Sequence, residues 1–415
     1  MTESSQSMPL PVRLMNRAGQ AARGLGFEPI KLDVDGLLEK AAASTGLSDF
    51  GGDEFRKPLH RLIDCLEKDA DLTTMGRIVA RSDLIRTLEN RLRFVDLFRE
   101  HPEISDETIT RPIFVVGAPR TGTTIFHDLL AMDPNIRVPL TWETSYPHPP
   151  PETETFRTDP RIAQVQGDLD RLDQLLPDFK KMHPMGAERA QECVAITSHD
   201  FASMIYQTQF EVSAYDRWVL DHDMHSALKW HRRFLQVLQW KAPGERWALK
   251  SPQHLWHIEH THREYPDALF VQTHRDPVRV VVSISSLVAA LRRLSSDHVS
   301  LPQVAEYYAT ALAKAFDNTM AYRRSGRLPK DQVVDLYFQD FLQDQIGTVR
   351  RAYEHFGLEL SDAAASAMQT FLDDNAADKH GQHSYSLADT EIDENTIREL
   401  FHDYETYFDI PRETA

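Results

Sequence analysis

The chain has 415 residues, of which 63 are acidic and 46 basic, for a formal charge of −17 at pH 7. That length exceeds the usual single core of about 250–300 residues, so one large domain with an added part is expected. The acidic balance argues against nucleic acid and anionic membranes as partners. Only Cys65 and Cys193 occur, with no C-x-x-C, which suggests neither a disulfide framework nor a metal site.

Met1 to Met8 reads as disordered, and the first ten residues lack a basic-then-apolar signal pattern. No apolar run reaches the ~18–20 residues of a membrane helix, so a cytoplasmic protein without a membrane span is expected. Leu10 to Pro102 is helical in pattern. Phe55, Leu59, Leu62, Ile63 and Leu66 form one amphipathic stripe, and Leu84, Leu88, Leu92 and Val95 repeat the spacing on a longer helix solvated on its other side. Residues 1–105 therefore read as a helical cap or dimer element, which makes a homodimer possible. Residues 106–415 are left as the functional domain.

Pro112-Ile113-Phe114-Val115-Val116 is a short β-branched run, read as a buried strand. It leads into Gly117-Ala118-Pro119-Arg120-Thr121-Gly122-Thr123-Thr124, a G-x-x-x-x-G-x-T frame, and then into a helix with Ile125, Phe126, Leu129 and Leu130 on one face. Strand, glycine turn and helix start together place backbone N–H groups around an anion. In a P-loop triphosphatase the residue after the second glycine is lysine, reaching the β- and γ-phosphates. Here it is Thr123, and the cation has moved to Arg120. The loop can hold a phosphate but lacks the usual means of breaking a β–γ bond.

Glu143 follows in Leu140-Thr141-Trp142-Glu143-Thr144. Thr141 to Asp159 is rich in proline and acid, a loop suited to line an acceptor pocket. Asp168 to Lys241 is helical again. Its aromatics Phe179, Phe201, Tyr206, Phe210 and Trp230 either wall an apolar cleft or belong to the core, and His222, His225 and His231 read as surface or pocket-lining. Trp247-Ala248-Leu249-Lys250 is a third-element strand ending in a lysine that points into the site or to water, and His254 lies on the helix that follows. His257, His260 and His262 come next. The first two have a zinc-pair spacing, but no third ligand is near, and a solvated polar face is the plainer reading.

Ala268 to Thr273 is a further buried strand, followed by His274-Arg275-Asp276-Pro277, with Pro277 opening a helix to Leu294. Ser283 lies eight positions beyond Arg275, roughly 12 Å along the helix, so the arginine must bend back to meet it. The alternative is an arginine capped by Asp276 and an ordinary helical serine. Gln332 to Phe338 is another strand, and Lys379-His380-Gly381-Gln382-His383-Ser384-Tyr385 is a polar loop between helical stretches. Repeated strand–helix alternation predicts an α/β fold with a mostly parallel central sheet flanked by helices.

Pro119-Arg120-Thr121-Gly122-Thr123-Thr124, taken with Arg275 and Ser283, resembles the sulfotransferases that use 3′-phosphoadenosine-5′-phosphosulfate (PAPS). The resemblance covers roughly Arg111 to Phe408 and is similar to the bacterial small-molecule branch. It implies a fold like that of nucleotide kinases and makes 106–415 the PAPS-binding domain. By that resemblance Arg120, Thr121, Gly122, Thr123 and Thr124 bind the 5′-phosphosulfate, and Arg275 with Ser283 the 3′-phosphate. Lys250 reaches the bridging oxygen, with Ser251 as a weaker aid, and no metal is required. Lys379 and Gly381 match loosely a basic loop that closes the 3′-phosphate side, and His383 and Tyr385 more distantly.

Two departures from the family pattern stand out. The histidine expected two residues after the lysine is Pro252, which leaves His254, Glu143 or another residue as the base. Glu143 matches the location of a catalytic glutamate in tyrosylprotein sulfotransferases and some bacterial members; otherwise it orients a basic neighbour, Lys250 for example. The tryptophan that several relatives carry after the threonine pair is Ile125, so adenine must stack elsewhere. The expected activity is transfer of a sulfuryl group from PAPS to a hydroxyl on a small or lipophilic acceptor. The alternatives are a small-molecule kinase of the P-loop type and a non-catalytic adenosine-bisphosphate binder.

Overall fold

A computed structural model of the chain describes residues 8–175, 185–375 and 386–413. Phe179 and the Lys379 to Tyr385 loop lie outside the described residues, so the expectations for Lys379, Gly381, His383 and Tyr385 have no structural counterpart here.

Five strands form one sheet: β1 (Ile113–Gly117), β2 (Ile136–Arg137), β3 (Arg246–Lys250), β4 (Leu269–His274) and β5 (Val333–Tyr337). Their order is β2-β3-β1-β4-β5 and every pairing is parallel. β1 and β4 are buried along their whole length, as their continuous apolar runs require of strands covered by helices on both faces. The sequence anticipated four of the five strands; β2 is two residues long and carries no periodicity to read.

The registers fix the site. Val115 pairs with Lys250, Gly117 with Thr273, and His274 with Tyr337. The carboxyl ends of β3, β1 and β4 therefore lie side by side, and the chain leaves β1 between neighbours that come later in sequence. Such an edge is where parallel α/β sheets bind ligands.

The N-terminal stripe packs as its spacing predicts. Leu59, Leu62, Ile63 and Leu66 on the helix Arg56–Lys68 are all buried, each worth about 1.5–3 kcal/mol relative to exposure. The 27-residue helix Thr74–Glu100 departs from expectation, because its second flank is covered: Thr87, Asn90, Arg91 and Phe94 are buried too. Arg91, fully buried, pairs with Asp200 at 2.9 Å and donates to the Phe50 and His199 carbonyls at 2.7 and 3.0 Å. Its guanidinium lies 4.2 Å from the Phe55 ring centre and 3.9 Å from that of Trp230. One hydrophobic cluster runs from Leu32 to Leu92 and on through Phe201, Tyr215 and Leu228, so packing crosses the boundary expected at residue 105.

His199, beside this arginine, is held neutral by its contacts. Asn90 Nδ2 donates to its Nε2 at 3.2 Å, and its Nδ1 faces the Ala195 and Ile196 carbonyls at 3.2 Å. Burial lowers its pKa to about 4, and does the same for His127. A histidine whose folded pKa lies below its unfolded value, about 6.5, contributes stability that is present above pH ~6.5 and is lost as pH falls toward 4. We expect the unfolding free energy to fall across that window by about 1 kcal/mol per pH unit for each such histidine. Urea midpoints measured from pH 7 to 4.5 check this, and His199→Gln should make the slope shallower by about one proton's worth.

Candidate active site

The glycine loop leaves β1 under tight constraint. A Cβ on Gly117 would lie 2.1 Å from Thr273 Oγ1, so glycine is what lets β1 run this close to β4. Gly122 has φ +86°, and a side chain there would press on the Phe338 ring. Arg120 also sits in the left-handed region, at φ +70°. For a non-glycine residue this stores about 1–3 kcal/mol, as loops at functional sites often do. No side chain caps the start of the helix Thr123–Leu130, so its first N–H groups point outward with the positive end of the helix dipole.

Not every loop residue faces outward. Thr121 is buried; its hydroxyl donates to the Ala118 carbonyl at 2.7 Å and lies 2.6 Å from Thr273 Oγ1. The side chain therefore ties the loop to β4 and does not face the crevice. Thr124 does face the crevice, where Lys250 Nζ reaches its hydroxyl at 3.3 Å.

Lys250, at the end of β3, does not point to water. Its side chain is 3% exposed, and its ammonium forms an ion pair with Glu192, which is 20% exposed. Glu192 was not singled out in the sequence, and little there could have marked it, 58 residues from its partner. It is delivered by a backbone splice: Thr141 N donates to Arg189 O at 3.0 Å, and Gln191 N to Pro139 O at 2.8 Å. This pins the segment before the short helix Cys193–Thr197 against the turn that follows β2.

The second cluster also assembles. Arg120 Nε donates to Ser283 Oγ at 3.0 Å, and Arg275 Nη1 donates to the Arg120 carbonyl at 2.8 Å. Arg120 thus bridges Arg275 and Ser283, which make no direct bond of their own among the described contacts. Asp276 does not cap Arg275. It caps the helix Pro277–Arg292 by accepting from Val278 N, and it takes both arms of Arg398 at 2.9 Å. Arg275 lies 4.1 Å from the Phe338 ring centre and is held by Glu413, whose carboxylate spans its Nε and Nη2 at 2.8 and 3.0 Å. Glu413 N in turn donates to Asp276 at 2.8 Å. A carboxylate on a half-buried forked cation is the contact a phosphate would make, so a phosphate arriving here must displace it.

Both base candidates read from the sequence are placed away from this crevice. Glu143 is fully buried. It takes both arms of Arg137, one at 2.9 Å, and accepts from Leu140 N at 3.0 Å, so it orients Arg137 and not Lys250. His254 is buried against Phe114, with ring centres 4.8 Å apart, and burial holds its pKa well below the ordinary value. The aromatics Phe201, Tyr206, Phe210 and Trp230 are buried core and wall no cleft. His257, expected on a solvated face, is buried, and so is His231, read as surface or pocket-lining. A concavity of about 850 Å³ lined by Asp53, Arg56, Lys57, His60, Arg61 and Asp64 contains none of the motif residues, so volume alone does not mark the site.

An arginine-bearing glycine loop at a helix start, on the carboxyl edge of a parallel sheet and without the lysine of a triphosphatase, defines a P-loop-like binder of phosphate-linked groups. The chain belongs to the sulfotransferase family, whose sequence model matches residues 112–362. It is 26% identical over 281 residues to the omega-hydroxy-beta-dihydromenaquinone-9 sulfotransferase Stf3 of Mycobacterium bovis, spanning 66% of this chain and 70% of that one. Among solved structures it is similar to sulfotransferase STF9 from Mycobacterium avium, with 29% identity and a TM-score of 0.86 over 94% of this chain and 100% of that one. Sulfotransferase STF1 from Mycobacterium tuberculosis H37Rv is 33% identical, with a TM-score of 0.80 over 89% and 98% of the two chains. The protein is an enzyme of sulfuryl transfer, and the kinase alternative is not favoured. Among the described residues no helix is long and apolar enough to cross a membrane.

The buried pair gives Glu143 a role that can be measured. Removing one partner of a buried ion pair strands the other and costs about 3–5 kcal/mol. Glu143→Gln should therefore lower the urea midpoint strongly, while the folded fraction keeps its turnover; unchanged stability with lost turnover would return Glu143 to the chemistry.

Proposed function

We propose that this chain transfers the sulfuryl group of PAPS to a hydroxyl of a small lipophilic acceptor, in the cytoplasm. The observation that carries the reading is the gathering of Arg120, Lys250 and Arg275 at the carboxyl ends of β1, β3 and β4, around an uncapped helix start, in a chain of charge −17. Three cations and a set of outward N–H groups fit a donor that carries phosphate at both ends, and PAPS, when bound, supplies the sulfuryl group. The acceptor class is supported by the relative that acts, by its name, on an omega-hydroxylated menaquinone.

Each residue then has a task. The loop N–H groups and the Thr124 hydroxyl hold the 5′ end, and Arg275, Arg120 and Ser283 hold the 3′-phosphate. Lys250 offsets the negative charge that grows on the oxygen losing the sulfuryl group, the place where electrostatic help lowers the barrier. We propose Glu192 as the base for the acceptor proton, in place of Glu143 and His254. Its partnership with Lys250 supports this, because a lysine drawn toward the leaving oxygen stabilises this partly buried carboxylate less, and weaker cationic stabilisation raises carboxylate basicity.

Two measurements test the assignment. Isothermal titration of Arg275→Ala should show weaker binding of 3′-phosphoadenosine-5′-phosphate by roughly 10- to 100-fold, the worth of charge-assisted hydrogen bonds, with adenosine 5′-phosphate nearly unaffected; equal loss for both ligands places the 3′-phosphate elsewhere. Glu192→Gln should keep bisphosphate affinity while turnover with PAPS drops by about 10²–10⁴-fold, the usual worth of a general base. Turnover within a factor of a few of the parent enzyme removes Glu192 from the role.

A further inference from the structure

Behind the active site, three elements bring Cys193, His231 and His254 together, each offering one ligand atom within 4.8 Å of the others. Cys193 begins its short helix immediately after Glu192, His231 lies on the helix His225–Trp240, and His254 lies on the turn of helix Gln253–Trp256 that follows Lys250. All three are buried, at 1%, 0% and 3% exposure. The Nε2 atoms of His231 and His254 have no hydrogen-bond partner, although buried ring nitrogens almost always find one. Cys193 is a free thiol.

The outer contacts have the form of a metal site. His231 Nδ1 lies 2.8 Å from the Tyr265 hydroxyl, and His254 Nδ1 lies 3.0 Å from Thr261 Oγ1. The Thr261 hydroxyl proton is already committed to the His257 carbonyl at 3.0 Å. Thr261 must therefore accept from His254 Nδ1–H, and that fixes the tautomer with a bare lone pair on Nε2. A ligating histidine that donates its other N–H to an oxygen is the usual arrangement around zinc. Beside the trio is a cavity of about 10 Å³ lined by Cys193, His254, His257, Met224 and Ser251, room for about one water molecule. His257 Nε2, also unpartnered, belongs to the same wall.

We propose that Cys193, His231 and His254 form a buried zinc site, with a water in the adjoining cavity as fourth ligand. Zinc bonds of about 2.3 Å to sulfur and 2.0–2.1 Å to nitrogen set tetrahedral ligand atoms about 3.3–3.6 Å apart, so the trio needs to close by about an ångström. On binding, the Cys193 thiol loses its proton to solvent and the thiolate offsets one metal charge; ionisation of the bound water offsets the other. Burial keeps both imidazoles neutral, the form that ligates. The metal joins the helix that follows Glu192 to the turn that follows Lys250, so it braces the ion pair of the active site from behind without touching the reacting groups.

Cobalt(II) titration of the full-length, chelator-stripped enzyme tests this. We expect one equivalent per chain, with tetrahedral d–d bands and a thiolate-to-cobalt charge-transfer band that zinc displaces. Zinc should raise the melting temperature of the stripped protein, and a chelator should reverse the rise. Cys193→Ala should abolish the charge-transfer band, and His231→Gln should weaken uptake at least tenfold. Should either variant fail to fold, the parent titration stands alone: substoichiometric uptake, or uptake without a thiolate band, overturns the proposal. A band that survives in folded Cys193→Ala overturns it equally.

Discussion

Placing several cations at one sheet edge is the constraint to which the rest of this molecule answers. Lys250 and Arg275 are drawn close to Arg120 because β3 and β4 flank β1 in register, and like charges in a crevice repel unless each finds a partner. The chain supplies partners of graded strength. Lys250 has the Glu192 carboxylate, Arg275 has Glu413, and Arg120 has the Ser283 hydroxyl among its partners. Acidic residues outnumber basic ones throughout, yet the nearest of them are spent on holding this cluster in place.

Those partners are also competitors. A buried or half-buried cation keeps little free energy in reserve for a ligand if a carboxylate already satisfies it, so the net gain on binding is an exchange. Glu413 and Glu192 are held differently. Glu413 is held by a backbone bond to Asp276 and by both arms of Arg275. Glu192 is held by the strand-like splice of residues 187–191 to residues 139–142.

Much of the frame was legible in the residues. β1, β3, β4 and β5 announce themselves as short β-branched runs, and the glycine loop with Arg120 identifies the phosphate end because its spacing is local. Arg275 and Ser283 were also readable, although their meeting through Arg120 was not, since a backbone carbonyl leaves no trace in sequence. The surroundings of Glu143 were not legible, for a physical reason. Glu143 lies near the loop in sequence and has an acid's chemistry, but Arg137, six residues earlier, captures it. Glu192 comes from a segment tied to the site by backbone pairing across about 50 residues and by the ion pair of Arg189 with Asp128, and no periodicity encodes either. The histidine cluster was not legible either: spacing reports only pairs along one helix, whereas Cys193, His231 and His254 come from three elements.

The buried Arg91 bears on how small this enzyme can be made. Its guanidinium fills the space between Phe55 and Trp230 and neutralises Asp200, which is 2% exposed. A fragment cut at the start of the matched family region would keep Asp200 and lose the only arginine that reaches it among the described contacts. It would also bare the flanks of Phe201 and Tyr215. The upstream helices therefore share one interior with residues 201–228 and do not pack as a separate appendage.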